Sequence, residues 1–175
     1  MIIMIKRFLY LLFFLSFIVI FINRCFTVKY STTGASIPPE AKTFSVKMFE
    51  NRAPIVEPSL SQYITDELRD YIQRNTRLIL VNGTGDLDFE GIIVDYDSRP
   101  AVLSSTDYAP QNRFTISIKV KYINSFNSKD NFETTFTRFV DYPSTLSFES
   151  AKEQYTQEII KLLIEDIYNK AFVNW

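Results

Sequence analysis

The sequence predicts an α+β fold: two helices packed on one face of a four-stranded, mostly antiparallel sheet. Two long stretches carry apolar residues at a helical period, and shorter ones carry them at every second position. Along the chain these fall in the order strand, helix, three strands, helix. Such a sheet must bury one face, and two amphipathic helices suffice to cover it.

The chain divides into three parts. From Phe8 to Ile22 every residue except Ser16 is apolar or aromatic, and Lys6 and Arg7 stand just upstream. This is the layout of a secretory signal, a charged region followed by an apolar one. Asn23 and Arg24 end the run before the roughly 18 apolar residues that a spanning helix needs. Residues 1–24 are therefore expected to be a signal peptide, with a short uncleaved anchor as the alternative. Residues 25–41 hold Cys25 and a tether whose Ser31, Thr32, Thr33, Gly34, Ser36, Pro38 and Pro39 resist regular structure. Residues 42–175 form the folded domain.

Within that domain "KTFSVKMF" alternates Phe44, Val46 and Met48 against Thr43, Ser45 and Lys47, as a half-buried strand does. Pro54 and Pro58 then enforce a loop, and Ser59 with Gln62 reads as a capping box opening a helix. Leu60, Ile64, Leu68, Tyr71 and Ile72 make that helix's apolar stripe. Strand character begins at Leu78, is broken by "NGTG", and resumes at Leu87 and Phe89, with Asp86, Asp88 and Glu90 on the other face. The apolar set then switches to Ile92, Val94 and Tyr96, which predicts a bulge at Gly91.

Asp97 to Asn112 is polar, holds Pro100 and Pro110, and is expected to be a long loop, of a length often functional in a compact domain. Phe114, Ile116, Ile118, Val120 and Tyr122 alternate with Thr115, Ser117, Lys119 and Lys121, an antiparallel strand with one solvated face. "NSKD" at 127–130 is its hairpin turn and Phe132 to Tyr142 the returning strand. Pro143 ends that strand. Ser150 with Glu153 is expected to cap a final helix whose stripe runs through Tyr155, Ile159, Leu162, Leu163, Ile167, Ala171 and Phe172.

Composition removes several function classes. Without residues 1–24 the chain loses Lys6, Arg7 and Arg24 but no acid, leaving 16 basic against 20 acidic residues. Nucleic acid, which demands clustered positive charge, is a poor partner for it. With no histidine the usual general base, the usual zinc ligand and every Ser-His or Cys-His pairing are missing. "NGTGD" lacks the lysine and following helix of a phosphate loop. Asp86, Asp88 and Glu90 follow strand alternation and have no calcium-loop spacing, so they read as a solvated face and no metal site is assigned. The chain is expected to be no enzyme and to need no cofactor.

Cys25 is the only cysteine and cannot form an internal disulfide. It lies directly after the apolar segment and before a flexible tether, the place of a lipid-modified cysteine that becomes the mature N-terminus. A plain thiol beside an uncleaved anchor is the competing reading, since Arg24 precedes it.

The stretches "TGASIPPEAKTFSVKMFENRAPIVEPSLSQYITDELRDYI", "LVNGTGDLDFEGIIVDY" and "NRFTISIKVKY", with the ending "EDIYNKAFVNW", resemble the LptE lipopolysaccharide-assembly lipoproteins of the Bacteroidetes type, from Gly34 to Trp175. The resemblance implies a two-helix, four-stranded sandwich held at the periplasmic face of the outer membrane by a lipidated cysteine, which is Cys25 here. It also implies a place inside the barrel of an LptD partner, where the pair delivers lipopolysaccharide to the outer leaflet. A lipopolysaccharide binder must offer fixed cations to the head-group phosphates. Lys119 and Lys121 on the solvated strand face, Arg113 at that strand's start and Arg138 on its hairpin partner are the expected contacts. A different periplasmic accessory lipoprotein, one assembling an outer-membrane channel, is the alternative.

Overall fold

The computed structural model describes residues 37–101 and 110–173. The expected signal peptide, Cys25, most of the tether and the centre of the expected 97–112 loop lie outside those residues. The elements in chain order are β1 (Thr43–Val46), β2 (Glu50–Asn51), α1 (Leu60–Asn75), β3 (Ile79–Leu80), β4 (Leu87–Pro100), β5 (Gln111–Asn124), a 3₁₀ turn (Ser128–Asp130), β6 (Phe132–Pro143) and α2 (Phe148–Phe172).

The strand order is β3-β1-β4-β5-β6, and β2 also pairs with β4. β1 and β3 flank the crossover helix α1 and so run parallel, since a tight hairpin cannot join parallel strands. β4, β5 and β6 form a long antiparallel meander, with the 3₁₀ turn between the last two. The α+β class holds, but the sheet has six strands and is mixed. The two extra strands are two residues each, too short to carry a period, and the parallel pairs are short beside the antiparallel ones.

β1 and β2 are one strand interrupted. Phe44 to Val46 pair with Leu87 to Phe89, and Glu50 and Asn51 pair with Ile92 and Ile93. Between them Phe49 turns into the core, 1% exposed, with its ring against Gly91. A Cβ at position 91 would overlap that ring. Gly91 thus keeps an inward position, opposite Val120, and Ile93 follows it inward. The expected bulge at Gly91 is corrected by this register: the extra residue is Val94, between Ile93 and Asp95, and it is partly exposed. Sequence alternation misplaces the slip because the inward space at Gly91 is filled from another strand.

The strands also run further than expected. β4 and β5 pair as far as Pro100 with Asn112, which confines the connection to residues 101–110. Cross-strand pairing outweighs polar composition and Pro100, which stands at the strand's last position.

Both helices cover the same face. α1 buries Leu60, Ile64, Leu68 and Ile72, each no more than 1% exposed. α2 buries Ile159, Ile160, Leu163, Ile164 and Ile167, whereas Leu162 of its expected stripe is exposed. Full burial of one such side chain stabilises by about 1.5–3 kcal/mol, so either stripe outweighs its helix's own weak propensity terms. The helix C-termini meet where the Tyr168 hydroxyl donates to the Asn75 carbonyl at 3.3 Å, beside the Tyr71 ring at 5.1 Å. Neither expected cap forms as read. Ser59 has helical backbone angles and makes no side-chain cap. α2 starts before the expected Ser150–Glu153 box: Ser147 Oγ accepts from the Ser150 backbone N–H at 3.3 Å.

Candidate functional site

The face opposite the helices is built by alternation. On β5 the inward residues Phe114, Ile116, Ile118, Val120 and Tyr122 are all essentially buried, so Arg113, Thr115, Ser117, Lys119 and Lys121 must point the other way. β4 adds Asp88, Glu90 and Ile92, and beyond the bulge Asp95, Asp97 and Arg99, while β6 adds Glu133, Thr135, Thr137, Phe139 and Asp141.

Register then decides which charges meet. Lys121 stands opposite Glu90 on one side and Glu133 on the other. It pairs with neither. Lys119 reaches diagonally to Glu133, and Lys47, from the gap between β1 and β2, takes Glu90. These contacts hold both glutamates below the usual carboxylate range, Glu90 chiefly through Lys47 and Glu133 chiefly through Lys119, with the Lys121 charge adding to each. Lys47 is raised in turn by its hydrogen bond to Glu90. A shallow cavity of about 340 Å³ lies among Lys47, Glu90, Ile92, Lys119, Lys121 and Glu133.

Arg113 belongs to the same face at its other end. Six residues of strand separate it from Lys119, about 20 Å at 3.3 Å per residue. Its guanidinium donates to both Asp141 oxygens, at 2.7 and 2.8 Å, and sits 3.8 Å from the centroid of the half-exposed Phe139 ring. Arg138, expected with these three, lies on the opposite face. It is in register with the inward Ile116 and donates to both Asp166 oxygens of α2, at 2.6 and 2.7 Å, fastening the helix to the sheet. Lys47 was the residue that local reading passed over. Its outward position was visible in "KTFSVKMF", but its partner Glu90 is 43 residues away.

The acidic trio has structural partners. Asp86 Oδ2 accepts from the backbone N–H of Lys42 and of Thr43, both at 2.9 Å, which holds its carboxyl below the usual range. Asp88 Oδ1 accepts from the Ser45 hydroxyl at 2.5 Å and the Gly85 N–H at 2.7 Å. Together with Lys47–Glu90 these contacts fix β4 to β1. Among the described residues no three His, Cys, Asp or Glu side chains are placed to hold a metal ion.

A second groove, of about 420 Å³, opens where both helices begin, lined by Glu57, Leu60, Tyr63, Tyr96, Lys152 and Thr156 among others. Lys152 bridges Glu149 at 2.9 Å and Glu57 at 3.5 Å, and the Tyr96 hydroxyl lies 3.3 Å from Thr156 Oγ1. Burial raises Tyr96 further above physiological pH, so its hydroxyl stays protonated and serves as a packing contact.

Comparison with known proteins identifies the family. The family model for LptE, described as lipopolysaccharide-assembly, matches residues 41–171. No curated protein matches the chain. A minor lipoprotein from Acinetobacter baumannii has a similar structure, with a TM-score of 0.50 at 14% identity over 74% of this chain and 91% of that one. An uncharacterized lipoprotein B from Nitrosomonas europaea aligns with a TM-score of 0.46 at 16% identity, over 73% of this chain and 80% of that one. At 14% identity the likeness to the Acinetobacter baumannii lipoprotein speaks for the fold alone.

Proposed function

Since the chain belongs to the LptE family of non-enzymatic lipopolysaccharide-assembly lipoproteins, we propose that it is held at the outer membrane through a lipidated Cys25, lodges in an LptD-like β-barrel, and presents the helix-free face of its sheet to the lipopolysaccharide head group. The observation that carries this reading is the one-sided sheet. Helices cover one face, and the other is polar and gathers Arg113, Lys119 and Lys121 on a single strand. Cations carried on one strand suit phosphate-bearing head groups, because the sheet fixes the backbone positions from which they reach.

Arg138 acts differently in this reading, through its Asp166 clasp on α2. The connection between Pro100 and Gln111 is assigned to contact with the barrel. In the test, Lys119 and Lys121 are both changed to Glu, and lipopolysaccharide binding is measured on the full chain in detergent micelles. Binding should fall by roughly tenfold or more while the circular dichroism spectrum stays the same, since two exposed cations become anions without loss of core contacts. Unchanged affinity would reject the head-group contact.

A further inference from the structure

The cavity on the open face has an unequal arrangement of charge. Two carboxylates, Glu90 and Glu133, face three ammonium groups, and each is already engaged, by Lys47 and by Lys119. The remaining acid at the rim, Glu50, is taken by Arg52 at 2.5 Å. Lys121 is left between the two glutamates in register and makes no ion pair among the described residues. An excess cation in the lining of a concave surface suits a single anionic group of small size.

We propose that this cavity is a phosphate-monoester site in which Lys121 makes the first contact, and Lys47 and Lys119 turn from their glutamates to complete it. The inference rests on the head-group reading above and deepens it by naming the site and its internal competitors. Glu90 and Glu133 act as built-in placeholders. They neutralise the flanking lysines when the site is empty, which limits repulsion among three like charges gathered around one cavity. They also lower the affinity for any anion, because the ligand must displace them. The exchange is favourable for a phosphate dianion, which offers more charge and three acceptor oxygens to the same donors. Ile92, also in the lining, offers no side-chain group that competes for the donors.

The experiment follows the lysine side-chain signals of the full chain in detergent micelles by nuclear magnetic resonance, titrated with inorganic phosphate and with glucosamine 1-phosphate. Saturable shifts at Lys47, Lys119 and Lys121 are expected. Lys121→Ala should weaken binding roughly threefold or more, and Glu133→Gln should tighten it roughly threefold, the scale of one exposed charge pair. Lys121→Gln, which keeps most of the side chain, should behave as Lys121→Ala does. Binding indifferent to Lys121, or weakened by Glu133→Gln, would overturn the proposal. Lipopolysaccharide binding by the same variants separates the two readings. Phosphate binding that depends on Lys121 while lipopolysaccharide binding does not would uphold the cavity and reject the head-group role. Lipopolysaccharide binding without any phosphate site at Lys121 would reject the cavity and leave the head-group contact to Arg113 and Lys119.

Discussion

Asp86 ties the start of β1 to the turn before β4 by accepting two backbone N–H groups, and this sets its response to pH. A carboxyl held lower in the folded chain than in the unfolded one contributes stability that is present above its unfolded pKa and is lost as pH falls through the folded value. Asp86→Asn removes that contribution. Followed by urea unfolding in micelles, wild type should be the more stable at pH 7, and the gap should narrow below about pH 4, near the ordinary aspartate pKa. A gap of constant size from pH 7 to pH 3 would contradict the assignment. The same residue illustrates what local reading yields. Alternation put Asp86, Asp88 and Glu90 on one face, but their partners Lys42, Thr43, Ser45 and Lys47 are about 43 positions away and become visible only once β1 is laid beside β4. Arg138 failed in the other direction: alternation with Phe136 and Val140 already put it on the inward face, and what local reading could not show was Asp166 of the final helix, the partner that engages it there.

For whole elements, period was a good guide and boundaries were not. The long strand β5 and both helix stripes were legible because burial of one face leaves a repeating trace over ten or more residues. β2 and β3 were not, since two residues carry no repeat, and the bulge was displaced by Phe49 filling the space over Gly91. The caps are a sharper case, because two serines of similar sequence promise behave differently. Ser147 caps α2 with its side chain, whereas Ser59 makes no such bond and its hydroxyl donates to Glu57 instead. Ser147→Ala should therefore lower unfolding stability by about 1 kcal/mol. Ser59→Ala should change it by less than about 0.5 kcal/mol. Equal losses in chemical denaturation would show the caps to be misassigned.

Taken as one molecule, the domain is asymmetric. Its apolar side is spent on two parallel-running helices, and the long antiparallel strands present an open polar face that no other described element covers. That division suits a component that works by contact: a sheet backed by its own helices, with cations and carboxylates side by side on its other face. What composition and periodicity alone could not supply was the cargo itself, which entered through family resemblance, because a solvated strand face with lysines looks alike in proteins of many functions.

The central claim, a lipid-anchored assembly component seated in a barrel, is tested most directly by purifying the chain from the outer membrane and measuring its intact mass together with that of whatever co-elutes. The account predicts a chain that begins at Cys25, carries a diacylglyceryl group and an acyl chain, and co-elutes with a large β-barrel protein. An unmodified chain that retains residues 1–24 and elutes without a barrel would contradict it.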